Sequence, residues 1–291
     1  MPLQPPCDNL PTIFDVGLHK GEDSLFYLKK GFRVIGFEAD PDLIRHCQKR
    51  FSKEITSGRM IIVQGAIIDP DDRDRAGQTV RFYKNLDDTV WGTVCETWAE
   101  RNEKLGTRNK IIEVPAVCFT ECLEKYGIPY YLKIDVEGMD RVCLKALLEF
   151  KEKPAYLSLE SEKVHFEQLL EEIDLLSRLG YTGYKTIQQS GIARLKEPVP
   201  AREGNQTHHR FEQGASGLFG RELPGRWKTR DQIIRKYKQI FFLYDNFGDF
   251  GKWRRHPLGR IFREAFSTLT GKPIPGWYDT HARHSSVTDP F

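Results

Sequence analysis

The chain has 291 residues, of which 39% are hydrophobic, 29% charged and 12% aromatic, which is the composition of a folded globular protein. No apolar run approaches the ~18 residues of a membrane span, and the N-terminal segment lacks the basic start and apolar stretch of a signal peptide. We therefore expect a cytoplasmic protein with no membrane partner. The six cysteines form no CxxC pair, which argues against a disulfide framework or a structural zinc site.

The formal net charge of +3 is distributed unevenly. Residues 201–291 hold 16 Lys and Arg against 9 Asp and Glu, whereas residues 1–200 hold 28 against 32. One interpretation is a C-terminal lobe that holds an anionic or carbohydrate-like ligand through Arg side chains and aromatic faces. The alternative is a solvated basic face over an aromatic subcore.

Short β-branched and aromatic runs alternate with helical patterns from residue 12 onward, which indicates βα units around a parallel sheet with helices on both faces. The first strand covers Thr12–Val16, and its following helix ends at Gly31. The second strand, Arg33–Glu38, precedes Asp40 and Pro41, which predict an N-cap followed by proline at the first helical position.

The later elements follow in chain order. The predicted strands are 60–67, 79–83, 111–119, 130–136, 155–160 and 184–188, and the predicted helices are 120–126, 139–150, 166–179 and 230–244. Residues 68–119, with polar turns and short strands, interrupt the alternation. The Gly-, Pro- and Arg-rich stretch 189–228 predicts a long loop with a small strand near Ala215–Phe219, and we hypothesise that it is a lid.

The segment FDVGLHKG has the features of a loop that a ligand approaches closely. A strand ends in Asp15 and passes through Gly17 and Gly21 into a helix. Neither GxGxxG nor GxxxxGK[ST] is present, so the loop is not built for a pyrophosphate. Glu38 ends the second strand, where a carboxylate can accept ribose hydroxyls of an adenosine. Together these features favour S-adenosylmethionine as the cofactor.

A second informative segment, LKIDVEG, brings the carboxylates of Asp135 and Glu137 to the carboxyl end of a buried strand. With FDVGLHKGEDS, FEADP and VQGAI in this order, the chain resembles the FkbM family of S-adenosylmethionine-dependent methyltransferases over roughly residues 12–190. The resemblance implies a Rossmann-like α/β sheet of seven strands. It also implies methyl transfer, most often to a hydroxyl oxygen.

The resemblance further implies a set of cofactor-binding positions. His19 would either orient the cofactor carboxylate or be a surface loop histidine. Asp15 and Gly17 would lie at the methionine end of the cofactor, Glu38 at the ribose, and Asp135 near the transferred methyl group. Gln64 and Ala66 would lie at the adenine edge. The implied set also includes His19 and Asp40.

Methyl transfer to an alcohol needs a base, and several strand-end residues are candidates. Asp135 is preferred, although it could bind the cofactor instead. Acids at neighbouring strand ends could also hold Mg²⁺, but no Asp-Asn pair follows the fifth strand, so we predict no metal. The candidates for the base are Asp135, Glu160 and His165, with Glu137 and Glu162 beside them.

We predict an S-adenosylmethionine-binding core, residues 1–200, and a C-terminal extension, residues 201–291, that binds the acceptor or forms a lid. The acceptor is expected to be a hydroxylated small molecule or glycan. If the Arg side chains of the C-terminal lobe bind it, the acceptor is anionic. The alternative function is a non-catalytic or nucleic-acid-directed binding module that uses the basic aromatic lobe. The Asp-Val-Glu-Gly run from Asp135 disfavours nucleic acid, since an amino-methyltransferase would carry Asn/Asp-Pro-Pro-aromatic there. The oligomeric state stays open.

Overall fold

Apolar runs that are buried on both sides form the parallel strands of the protein. The computed structural model describes residues 10–136, 138–161, 165–212, 214–248, 251–271, 273–274 and 276–288. The strands are β1 (Thr12–Val16), β2 (Arg33–Glu38), β3 (Met60–Gln64), β4 (Ala66–Ile68), β5 (Thr79–Asn85), β6 (Asn109–Cys118), β7 (Tyr131–Ile134), β8 (Tyr156–Glu160), β9 (Tyr181–Gln188) and β10 (Tyr278–His284). The helices are α1 (Glu22–Lys29), α2 (Pro41–Arg50), α3 (Ser52–Thr56), α4 (Glu96–Lys104), α5 (Phe119–Tyr126), α6 (Asp140–Ala146), α7 (Phe166–Arg178), α8 (Arg230–Phe247) and α9 (Pro257–Thr270).

The main sheet has seven strands in the order β3-β2-β1-β7-β8-β10-β9. Neighbouring strands run parallel except at β10, which is antiparallel to both β8 and β9. A second sheet of three strands, β4-β6-β5, holds the segment that interrupts the alternation. The expected Rossmann-like α/β sheet of seven strands is therefore confirmed.

Helices cover both faces of the main sheet. On one face, Phe14 and Leu132 pack in a core with residues of α5, α6, α7 and α8. On the other face, Val34 and Tyr131 pack with α1 and α2. The side chain of Asp40 accepts a bond from the backbone N–H of Asp42 and caps α2, as the sequence predicted.

Two elements end at least three residues earlier than the sequence predicted, β3 at Gln64 instead of 67 and α6 at Ala146 instead of 150. The strand expected over residues 60–67 breaks at Gly65, whose φ of +135° separates β3 from β4 and sends β4 into the smaller sheet. The helix expected over residues 139–150 ends as α6 at Ala146 and continues only as a 3₁₀ turn over Leu147–Glu149. Helices α3, α4 and α9 were not predicted.

Strand β10 is the largest difference from the sequence prediction, because it comes from residues 201–291. It lies between β8 and β9, with Asp279 opposite Glu160 and His281 opposite Ser158. The sequence YDTHARH hides this strand, since polar residues occupy positions that are buried in the sheet. The C-terminal extension thus contributes one strand to the main sheet.

The stretch 189–228 packs against the same sheet face as α1. The small strand predicted near Ala215–Phe219 is wrong, because these residues form no strand and instead bury their side chains against α1 and β7. Phe219 is fully buried, with its ring stacked 4.8 Å from that of Tyr131. This stretch covers one face of the main sheet and forms part of its hydrophobic core. Its role as a lid stays a prediction.

None of the helices in the described ranges has the length and apolar content needed to cross a bilayer.

Candidate functional site

A cleft opens at the carboxyl edge of the main sheet, where β1 and β7 are neighbours and the chain order of the strands reverses. In open α/β sheets this switch point is the usual ligand position. The cleft and the open solvent at its mouth together contain about 930 Å³ of empty space. Among its lining residues are Gly17, Leu18, His19, Glu22, Asp23, Phe37, Glu38, Asp40, Leu43, Ala66, Ile67, Phe82, Thr89, Val94, Lys133, Asp135 and Gly214.

Gly17 allows the ends of three strands to meet in this cleft. Its φ is +86°, and a Cβ atom at this position would lie 1.9 Å from the carbonyl oxygen of Asp135. The backbone N–H groups of Gly17 and Leu18 both donate to the carbonyl of Phe37, at 3.1 and 2.9 Å. The loop after β1 is thereby fastened to the ends of β2 and β7, and only glycine fits at its first turn.

Lys133 of β7 lies at the centre of a buried group of charges. Its Nζ is 3.3 Å from Asp15 Oδ1, 3.4 Å from Asp135 Oδ2 and 3.6 Å from Asp23 Oδ2, and it donates to the carbonyl of Gly17 at 3.1 Å. Burial alone would lower the pKa of Lys133, but the three carboxylates raise it well above its ordinary value. The ammonium group is therefore held in its charged form.

The carboxylates around Lys133 differ in their surroundings. Burial raises the pKa of Asp15 to about 6, although Lys133 and a 2.7 Å hydrogen bond from Ser24 Oγ oppose the shift. Burial also raises the pKa of Asp23. The side chain of Asp135 is 45% exposed, so it is the member of the group that a second molecule in the cleft can reach.

Asp23 connects this charge group to the stretch 189–228. Its carboxylate accepts bonds from the backbone N–H groups of Ser216, at 2.9 and 3.0 Å, and Gly217, at 3.3 Å. Gly214 lines the cleft beside them. The C-terminal part of the chain therefore reaches the site through a buried polar contact.

Neither Lys133 nor Asp23 was selected from the sequence. A signal for Lys133 was present, because a lysine inside the apolar strand YLKI has to find buried partners. No comparable signal existed for Asp23, whose partner Ser216 is 193 residues away.

Glu38 is buried at the end of β2, with its carboxylate bound to backbone. Oε1 accepts from the N–H groups of Ala39 and Asp40 at 2.9 and 2.8 Å, and Oε2 accepts from His19 N–H at 2.8 Å. Burial raises the pKa of Glu38 to about 6 against the lowering effect of these bonds. Since Oε2 has one such donor, it retains the capacity to accept a hydroxyl.

His19 bridges two parts of the cleft wall. Nδ1 lies 3.1 Å from Glu22 Oε1, and Nε2 lies 2.8 Å from Thr89 Oγ1. Its φ of +51° is unusual for a residue other than glycine, and the loop is held in this conformation by the bond from its N–H to Glu38. His19 thus has defined partners on both ring nitrogens.

The other predicted cofactor residues divide into two groups. Asp40 lines the cleft, and its Oδ1 both caps α2 and lies 2.9 Å from Lys84 Nζ. Ala66 lines the cleft. Gln64 is exposed and does not belong to the lining.

The predicted bases are not all brought together. Asp135 lines the cleft, whereas Glu160, at the end of β8, and His165, exposed at the start of α7, are not among the lining residues. Their catalytic role stays a prediction. Glu137 and Glu162 lie outside the described residues.

The carboxyl edge of the sheet also carries an acidic residue of β10, which the sequence analysis missed because it did not predict that strand. Asp279 is buried opposite Glu160, and burial raises its pKa well above the ordinary value. Across the described ranges, no cluster of three or more His, Cys, Asp or Glu side chains could hold a metal ion.

The cleft combines an apolar wall with a charged end. Phe37, Leu43 and Ile67 belong to the wall, and the group around Lys133 has three carboxylates for one ammonium ion. Such a cleft can hold a ligand that has a flat apolar ring, hydroxyl groups and a positively charged end.

A comparison with models of protein families identifies one family. The sequence matches the family model described as Methyltransferase FkbM domain over residues 15–182. No curated protein matches the sequence.

Three similar solved structures are all named as methyltransferases. Precorrin-6y C5,15-methyltransferase from Geobacter metallireducens GS-15 is 10% identical, with 94% of this chain and 80% of that chain covered and a TM-score of 0.34. Methyltransferase FkbM from Methylobacillus flagellatus KT is 17% identical, with 64% and 44% covered and a TM-score of 0.35. The O-methyltransferase from Bacillus cereus in complex with SAH is 10% identical, with 62% and 68% covered and a TM-score of 0.36.

Proposed function

Because the chain belongs to the FkbM methyltransferase family, we propose that it transfers a methyl group from S-adenosylmethionine to a hydroxyl oxygen of a small-molecule or sugar-containing acceptor. The observation that carries this proposal is the convergence of Glu38, the Gly17 loop and the Lys133 charge group on one cleft at the switch point of the sheet. When bound, S-adenosylmethionine supplies an electrophilic methyl group on a sulfonium centre.

The residues of the cleft suit this cofactor by their chemistry. Glu38 would accept a ribose hydroxyl on Oε2, the oxygen with a single backbone donor. The apolar wall with Phe37, Leu43 and Ile67 would contact the adenine ring. The excess of carboxylate over ammonium around Lys133 favours a ligand with positive charge at that end, as the sulfonium and amino groups require.

Asp135 is the proposed base for the acceptor hydroxyl. It lines the cleft, it is the most exposed carboxylate of the charge group, and its backbone N–H is fixed to the carbonyl of Val16 at 2.9 Å. One of its oxygens would take the proton that the hydroxyl loses. Glu160 and His165 remain alternative bases, supported by their positions at the same edge of the sheet.

We assign acceptor binding to residues 201–291, in part because Gly214 lines the cleft beside the Asp23 contact to Ser216. The positive charge of this region supports an anionic acceptor. Neither Arg226 nor Arg230 supports this assignment: Trp227, next to Arg226, stacks on Tyr156 at the amino end of β8, and the guanidinium of Arg230 pairs with Asp174 of α7.

The test is transfer of an isotopically labelled methyl group. The protein is incubated with methyl-labelled S-adenosylmethionine and a metabolite extract, and labelled products are identified by mass spectrometry. The wild type should label a hydroxyl oxygen, and Asp135→Asn should lose roughly 100-fold or more in rate. The control is Asp74→Asn, the same change on the exposed turn after β4. A protein that binds cofactor but labels nothing in any extract would instead be a non-catalytic binding module.

A further inference from the structure

Helix α9 carries a row of apolar side chains on its solvent side. Leu258, Ile261, Ala265 and Leu269 follow one another at steps of three or four residues and therefore lie along one line of the helix. Leu258 is 63%, Ile261 57% and Leu269 85% exposed. Helices of globular proteins usually turn such a row toward a core. In α9 the row faces solvent instead, so it is available to a partner.

The side of α9 next to this row already packs against the protein. The ring of Phe262 stacks 4.1 Å from that of Phe247 in α8. Gly259 is buried, and a Cβ atom there would lie 2.0 Å from the carbonyl oxygen of Trp253. These contacts fix the rotation of α9 and hold the row of Leu258, Ile261, Ala265 and Leu269, the apolar row of α9, toward the outside.

Positive charge is concentrated in α9 and in the turn before it. Residues 251–271 hold five cationic side chains and one acid, Glu264. The indole of Trp253, 42% exposed, lies in the turn that leads into α9. The five cationic residues are Lys252, Arg254, Arg255, Arg260 and Arg263.

An apolar row with cationic neighbours and a tryptophan at its margin is the pattern of a helix that lies in the surface of an anionic membrane. At 14 residues α9 is about 21 Å long, which is too short to span a bilayer. A second copy of this chain is a poorer occupant, because two faces with the same excess of positive charge would repel each other. An anionic lipid surface offers both an apolar layer and the opposite charge.

We propose that α9 docks this protein on anionic lipid membranes, with the apolar row in the acyl boundary and the cationic side chains at the lipid headgroups. Helix α9 is followed closely by β10, whose first residues lie at the carboxyl edge of the sheet, where Asp279 faces Glu160. Docking through α9 would therefore hold the edge that carries the cleft near the membrane. The expectation of no membrane partner rested on the lack of a spanning segment and does not bear on a surface helix.

The experiment is co-sedimentation of the full chain with vesicles, without cofactor, so that its outcome is independent of methyl transfer. The probes are vesicles of phosphatidylcholine alone and of phosphatidylcholine with phosphatidylglycerol. The wild type should sediment with the second kind and much less with the first, and added salt should weaken the association. Two variants remove one feature each: Leu258→Gln with Leu269→Gln, and Arg254→Gln with Arg255→Gln.

Each variant should lower the partition coefficient on phosphatidylglycerol vesicles about tenfold or more. The matched control is Leu105→Gln with Leu148→Gln, which makes the same change at leucines 47% and 43% exposed elsewhere, and should bind as the wild type does. Circular dichroism checks that every variant is folded. Equal binding to both vesicles, no binding to either, or unchanged binding of the Leu258 and Leu269 variant would overturn the proposal. Self-association in gel filtration that this variant abolishes, without vesicle binding, would assign the face to a second copy instead.

Discussion

The ammonium group of Lys133 lies 3.3 Å from the carboxylate of Asp15, its register partner on the neighbouring strand. Both side chains are almost fully buried. The contact joins two of the sequence segments that carry the family resemblance, FDVGLHKGEDS and LKIDVEG, into one charged end of the cleft. A buried charge without its partner is strongly destabilising, so this pair connects the stability of the fold with the chemistry of the site.

We predict that Lys133→Met destabilises the protein by about 3 to 5 kcal/mol, because Asp15, Asp23 and Asp135 lose their shared counter-charge. Urea unfolding at neutral pH measures the change. Lys145→Met, the same substitution at a lysine that is 51% exposed beside Asp69, should change stability by less than about 1 kcal/mol. Equal effects of the two substitutions would contradict the assignment of Lys133 as the centre of the charge group.

Glu38→Gln should weaken S-adenosylmethionine binding by about 1 to 3 kcal/mol. The glutamine amide has only one acceptor oxygen, whereas both oxygens of Glu38 accept backbone N–H bonds. The NH₂ group would therefore face a backbone N–H group, either that of His19 or those of Ala39 and Asp40. Two donors facing each other would disturb the loop that positions the ribose. Equilibrium dialysis with labelled cofactor measures the dissociation constant. Glu124→Gln, on the exposed side of α5, is the control. An unchanged dissociation constant for Glu38→Gln would show that the ribose assignment is wrong.

Asp23→Ala should loosen the stretch 189–228 where it meets the cleft. The substitution removes the acceptor of the Ser216 and Gly217 N–H groups, which are buried and would lose their partner. Hydrogen exchange followed by mass spectrometry should show faster exchange over residues 214–217 than in the wild type, with the β1 and β7 amides unaffected. Unchanged hydrogen-exchange rates over residues 214–217 would contradict this role of Asp23. The packing of Phe219 and its neighbours would then hold this stretch in place without Asp23.

His281 should make the protein less stable at acidic pH. It is buried in β10, neither ring nitrogen has a hydrogen-bond partner among the residues that the structure describes, and burial, helped by Lys185, lowers its pKa to about 3. In the unfolded chain the histidine takes up a proton near pH 6.5, whereas in the folded chain it does not. Stability is therefore unaffected above about pH 6.5 and is lost as the pH falls toward 3, by at most roughly 1.4 kcal/mol per pH unit.

The measurement for His281 is the difference in unfolding free energy between the wild type and His281→Phe as a function of pH. The difference should change only below about pH 6.5. His46→Phe, at an exposed histidine of α2, controls for the loss of an imidazole. The same pH profile for both variants would refute the contribution of His281.

The parallel strands and the position of the cleft were predictable from the sequence because they depend on local signals. Apolar runs mark β1, β2 and β7, and the ends of parallel strands fall at one edge of the sheet, so Asp15, Glu38 and Asp135 could be expected together. Gly17 was predictable for the same reason, since its position after β1 requires a close approach of backbone.

The remaining features depend on contacts between distant parts of the chain. Strand β10 has polar residues where a buried strand would show apolar ones, and its pairing with β8 and β9 is a property of the whole sheet. The contact from Asp23 to Ser216 and the burial of Phe219 arise when residues 189–228 cover α1, which no local periodicity encodes. Glu160 and His165 were chosen as candidate bases only because they follow the end of a strand. Neither residue is among those that line the cleft.

The most direct test of the central claim is isothermal titration of the protein with S-adenosylmethionine, repeated with Leu43→Trp to fill the apolar wall of the cleft and with Leu105→Trp as an exposed control. We predict saturable binding at a single site per chain for the wild type and the control, and at least about tenfold weaker binding for a folded Leu43→Trp protein. No heat of binding to the wild type, or equal affinity in all three proteins, would contradict the claim that this cleft is the cofactor site.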